Sequence, residues 1–97
     1  MAKATSKKEA GQIKIVLLPE RWVFVGRYSK RIENGVFIHR LENSKNIRHW
    51  GTGKGLGDLG INGVAGRTVT LDQAGTIEFE NYIALHDCVA DKWAGVL

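Results

Sequence analysis

The run Gly51-Thr52-Gly53-Lys54-Gly55 has the residue types of an anion cradle. Glycine leaves backbone amides open, and those amides with one lysine can hold phosphate oxygens. Arg48, His49 and Trp50 stand immediately before it. The cationic side chains would supply charge, and Trp50 a ring for stacking on a base. Arg48, His49, Trp50, Thr52 and Lys54 are therefore the candidate ligand-binding set. Arg27, Arg31 and Arg40 are its supporting basic surface. A nucleoside-triphosphate loop is a different pattern, with four residues between its first glycine and Gly-Lys-Ser/Thr. Counting back from Gly53-Lys54, Arg48 occupies that first place, and Gly55 stands where the magnesium-binding hydroxyl belongs. An ATPase site is not expected. The other reading of these glycines is mechanical: close packing and a tight turn.

Other reactive types do not assemble into a reaction. His39, His49 and His86 fall on separate expected strands, with no helix-face metal spacing. No metal and no cofactor are expected. In His86-Asp87-Cys88, neighbouring strand residues point to opposite faces. His86 and Cys88 then share a face that Asp87 does not, which defeats a triad built from these three. Cys88 reads as a small buried hydrophobe. Trp22, Tyr28, Trp50, Tyr82 and Trp93 stand among arginines, as on a base-stacking surface, although aromatics at strand spacing commonly form core.

The totals bound the scaffold. The chain has 97 residues, 43% of them hydrophobic, which suits one small domain. Its longest apolar run, Ile15 to Leu18, is a strand's worth and far too short to span a bilayer. No apolar signal-peptide core follows the N-terminal lysines. A single cysteine excludes an internal disulfide and suits a reducing, intracellular setting. The net charge of +4 is unevenly spread. Residues 21–54 hold eight basic groups against Glu33 and Glu42, whereas residues 55–97 hold Arg67 and Lys92 against six acids. Such asymmetry suggests either a basic face for an anion or strands of opposite charge that pair and cancel.

The elements follow from alternation and turn chemistry. Residues 1–12 are polar and aperiodic and read as a disordered basic tail; residues 13–97 read as a single small β domain. Strands are expected over Ile13–Leu18, ended by Pro19, and over Trp22–Tyr28, where Gly26 marks a bend. The polar stretch Ser29–Asn34 leads to Asn34-Gly35, which predicts a tight hairpin, with Val36–Leu41 returning. Glu42–Lys45 reads as a turn before a strand over Asn46–Trp50. Seven of the 12 glycines lie in residues 50–66. This connector has room for one short helix with Leu56 and Leu59 on one face, closed by Asn62-Gly63. Strands over Arg67–Leu71 and Thr76–Glu80 flank a turn at Asp72–Gly75, with Val69, Leu71, Ile77 and Phe79 inward. A last strand runs over Tyr82–Val89, and Trp93 packs back on the domain. Six or seven short strands with these turns predict a small β-barrel or sandwich. The layout is similar to SH3-like and Sm-like barrels with one short helix.

The segment from Ile47 to Leu59 contains Trp50-Gly51-Thr52-Gly53-Lys54-Gly55-Leu56-Gly57. It resembles the signature of a family of small proteins found largely in bacteriophages and prophages. Members show a Trp-Val-Phe/Tyr-Val-Gly strand, matched by Trp22 to Gly26. Then comes Arg-Arg-Trp-Gly-Thr-x-Lys-Gly-Leu-Gly, matched by Arg48 to Gly57, and a Gly-Thr-Ile/Val strand pair ending near a cysteine, matched by Gly75 to Cys88. His49 replaces the usual arginine and Gly53 a common threonine. The resemblance covers about three quarters of the chain. It implies a phage context and the cytoplasm of an infected or lysogenic bacterium, with a role in infection, host takeover or counter-defence.

The expectation is a non-enzymatic phage accessory protein that binds an anionic ligand, a nucleotide or nucleic acid, through the basic glycine-rich loop. The alternative is a protein-interaction module that inhibits a host defence protein or forms part of the phage particle. No membrane association is expected, and open strand edges would permit a homo-oligomer.

Overall fold

The structure is a computed structural model and describes residues 12–49, 56–64, 69–93 and 95–97. It is mostly β. Five strands, β1 (Gln12–Leu18), β2 (Trp22–Glu33), β3 (Val36–His49), β4 (Thr70–Phe79) and β5 (Ala84–Asp87), form one antiparallel sheet. Helix α1 (Leu56–Asn62) lies between β3 and β4, and helix α2 (Ala90–Trp93) follows β5. The order across the sheet is β4-β3-β2-β1-β5. The first four strands meander and β5 returns to the free side of β1, so β4 and β5 are the edges among the described strands.

The connections follow local chemistry. Pro19 ends β1 and opens a three-residue 3-10 turn, Pro19–Arg21, that brings Leu18 opposite Trp22. Within it Glu20 takes φ 69°, a left-handed conformation that a non-glycine residue adopts at a cost. Glu33 pairs with Val36 across a two-residue loop in which Asn34 and Gly35 have φ 52° and 81°. Positive φ at both centres is what a type I′ hairpin needs, so Asn34-Gly35 sets the register of the two longest strands.

Two expected turns are not turns. Glu42–Lys45 and Asp72–Gly75 lie inside continuous strands β3 and β4. Asn43 and Gly75 have φ 57° and 70°, and the pairing shifts around Ser44. Each strand carries one extra residue there, and because the two bulges face each other the β3–β4 register is the same on either side. Ser44 Oγ donates to the Gly75 carbonyl at 2.6 Å and ties them. Opposite, in β2, Gly26 is buried, and a Cβ there would come within 3.0 Å of Ser44 Cβ and 3.1 Å of the Glu42 carbonyl oxygen. A line of irregularity thus crosses β2, β3 and β4 and bends the sheet. It merges four expected strands into two, hence five in place of six or seven. Two further expectations change. Ser29–Glu33 continues β2 and is not loop, and the last strand is confined to Ala84–Asp87.

The bulges also decide the faces. On the first face, Ile13, Ile15, Val23, Val25 and Ile47 form a core with Leu59 and Trp93, joined by Leu71 and Val69. Beyond the bulges β3 and β4 have flipped, so Ile77 and Phe79 lie on the second face and not with Val69 and Leu71 as expected. Trp22, Phe24 and Tyr28 share that second face by alternation along β2.

Glycine lets α1 lie against the sheet. A Cβ on Gly60 would stand 2.7 Å from the Asp87 carbonyl oxygen, and one on Gly63 would stand 2.9 Å from Lys92 Cβ and from its carbonyl oxygen. The Gly60 carbonyl accepts from the Val89 amide at 3.0 Å and from Trp93 Nε1 at 3.1 Å. Gly63, at φ 76°, donates its amide to the Leu59 carbonyl at 2.8 Å and closes the helix as Asn62-Gly63 implied. Trp93 is fully buried, the packing-back expected of it.

Candidate functional site

The expected ligand set divides on the structure. Arg48 lies near the end of β3 on the second face, exposed, with its guanidinium donating to Asp72 Oδ2 at 3.0 Å. His49 closes β3 opposite Thr70; its side chain, and Trp50, Thr52 and Lys54 altogether, lie outside the described residues.

Arg27, Arg31 and Arg40 come together, but on the first face, beyond the core. Arg31 donates through Nη1 and Nη2 to the two Glu78 oxygens at 2.9 and 3.1 Å, and through Nε to Glu33 at 2.7 Å. Arg40 reaches Glu42 and Glu78, each at 2.8 Å. Arg27 stands directly across from Glu42. Three arginines therefore face Glu33, Glu42 and Glu78. Glu78, held by hydrogen bonds from Arg31 and then Arg40, has its pKa lowered to about 2. Its bonds in turn raise Arg31, and those of Glu42 and Glu78 raise Arg40. On the first face Arg31 and Arg40 are thus paired across strands with Glu78, and within their own strands with Glu33 and Glu42. Arg48 does not share a face with this group.

Burial, helped by the Asp87 charge, pushes the Cys88 thiol up to about 12. Asp87 is turned to Lys14 on the opposite face, 3.0 Å away, while His86 pairs with Ile15. Among the described residues no three His, Cys, Asp or Glu side chains converge as metal ligands. No helix among them is long and apolar enough to cross a membrane.

The sequence reading named Tyr28 and Tyr82 but missed the row of rings they form on the second face with His39, Phe37 and Phe79. His39 is buried, with Tyr28 and Phe79 stacked beside it at centroid distances of 5.8 and 5.4 Å. Phe37 lies tilted at 6.4 Å and Tyr82 stands edge-on at 5.1 Å. Tyr28 Oη and His39 Nδ1 share a 2.7 Å hydrogen bond. Burial, then the charge of Lys30, lowers the His39 pKa, so the ring is held neutral. Burial, then Tyr82, raises Tyr28. One end of the row is open: Ile32 is 62% exposed and its cross-strand partner Phe37 46%, with Lys30 Nζ 4.7 Å over the Phe37 ring. Tyr82 and Ile83 are also exposed. Phe79 also lines a cleft of about 690 Å³ together with Leu18 and Trp22. Alternation pairs Phe37 with His39 in the sequence. It does not place Phe79 with them, because the two bulges restore a register that a plain reading breaks with turns.

Compared with protein-family models, curated proteins and solved structures, the chain matches none.

Proposed function

We propose that the chain is a non-enzymatic protein-interaction module whose contact surface is the second face of the sheet. The observation that carries this reading is the aromatic row, in which Phe37 and Tyr82 stay open to solvent, with Trp22 also exposed on the same face. Exposed aromatics on a rigid sheet are typical anchors of protein contacts. The pairing of Arg31 and Arg40 with glutamates leaves less free charge for an anion. The family resemblance supports a phage accessory protein that blocks a host defence protein or joins the phage particle, in the cytoplasm of a bacterial host. On the same reading, the bend line curls the meander toward a small SH3-like or Sm-like barrel.

One observation favours anion capture as a second reading. Arg48 is exposed next to the last residue of β3, shortly before Gly51–Gly55 in the sequence. In that reading Arg48, His49, Trp50, Thr52 and Lys54 hold a nucleotide or nucleic acid.

The two separate in a capture experiment. Wild-type protein, the Ile32→Asp/Phe37→Asp double variant and Lys54→Glu are immobilised and exposed to bacterial lysate. The interaction reading expects a partner retained by wild type and Lys54→Glu and lost from the apolar double variant. Loss from Lys54→Glu alone, with steep weakening as salt rises, would instead establish the anionic ligand.

A further inference from the structure

We propose that the cleft between the β1–β2 turn and the end of β4 docks an arginine- or lysine-bearing segment of a partner protein. This rests on the interaction reading and names the chemistry of the partner at one end of the aromatic face. The cleft, at about 690 Å³, is within the usual size of a ligand site, roughly 300–1,000 Å³. Five of its lining residues are apolar: Leu18, Pro19, Trp22, Ile38 and Phe79. Its remaining walls are Asn81 and three carboxylates, Glu20, Glu78 and Glu80, and among the described residues none of the lining side chains is basic.

The three carboxylates are not equivalent. Glu78 is committed to Arg31 and Arg40. Glu20 and Glu80 carry no ion pair among the described residues, and they flank the cleft from the turn and from the end of β4. Glu20 keeps its carboxylate at a left-handed backbone position that glycine would occupy without cost. Trp22, 54% exposed, is held by stacking on Phe24 at 6.3 Å with planes 17° apart. A fixed indole beside two open carboxylates suits a guanidinium or ammonium, which gains from the ring face and from charge-assisted hydrogen bonds together. The apolar share of the lining distinguishes the occupant from a free polyamine. Five of the nine lining residues are apolar, so the partner must bring carbon beside its charge, as an arginine next to a leucine does.

The test is a titration followed by amide and indole shifts in 15N–1H spectra. The probe is the capped pentapeptide Leu-Arg-Leu-Arg-Leu; its glutamine counterpart and spermine are run alongside. The proposal expects shifts at Leu18, Glu20, Glu78 to Asn81 and the Trp22 indole. Affinity should fall about tenfold in Glu20→Gln/Glu80→Gln, the loss of two charge-assisted contacts. It should fall about fivefold in Trp22→Ala. Equal binding of the glutamine peptide, equal binding of spermine, undiminished affinity in the carboxylate variant, or no shifts in the cleft would each overturn it. The variants' own spectra confirm their folding. If lysate capture still depends on Ile32 and Phe37 while the peptide ignores the cleft, this proposal falls and the interaction reading stands.

Discussion

His39 links the aromatic row to pH. Its ring is buried among Tyr28, Phe37, Phe79 and Tyr82, near Lys30, and its pKa lies below the ordinary 6.5. The folded state therefore holds it neutral where the unfolded chain takes up a proton. Below about pH 6.5 the unfolded state binds more protons, so stability falls as pH drops through that value and levels off below the folded pKa. Thermal unfolding between about pH 7 and about pH 5 should show this fall in the wild type. It should be absent or much shallower in His39→Gln, which keeps an acceptor without titrating. An unchanged slope in the variant would place the titration elsewhere.

Glycine has separable roles within one connector. The sequence allowed Gly51, Gly53 and Gly55, which lie outside the described residues, to be either an anion cradle or a packing device, and let the small residues of the helix after them pack on the sheet. Gly60 and Gly63 serve packing. Gly60→Ala should destabilise the fold by about 2 kcal/mol in urea unfolding, since its methyl meets a backbone oxygen that a strand holds in place. The usual gain from alanine in a helix, about 1 kcal/mol, opposes this and is outweighed because moving α1 strains both bonds to the Gly60 carbonyl. Gly95→Ala, with nothing within 4 Å, is the control and should be neutral. Much of this element was legible in advance. Leu56 and Leu59 at i and i+3 with Asn62-Gly63 behind them predicted α1, and Asn34-Gly35 predicted the hairpin. The bulges at Asn43 and Gly75 were not legible. A polar stretch with a positive-φ residue looks the same whether the chain turns back or continues, and only the facing strand decides.

For the molecule as a whole, the mostly β class was legible in the residues and the surface was not. Alternation put Ile13 with Ile15 and Val23 with Val25 within their own strands, and only the pairing of the strands joins them with Ile47 in one core. The sequence also placed Trp93 in the core, because a buried tail residue needs only an apolar ring. It could not show that Arg31 and Arg40 would converge on Glu78, since that contact joins positions 38 and 47 residues apart. Nor could it show the cleft, which is made by a turn at Glu20 and a strand end at Glu80 that meet only in the fold. The charge asymmetry allowed either a basic face or charges that cancel, and among the described residues Arg31 and Arg40 are paired with glutamates while rings gather on the other face.

Native mass spectrometry of the protein purified from bacterial cells tests the interaction reading most directly. The account predicts no bound nucleotide, and a protein complex that persists in Lys54→Glu and disappears in Ile32→Asp/Phe37→Asp. A nucleotide mass on the wild type that is lost in Lys54→Glu would contradict it and return the function to the glycine-rich loop.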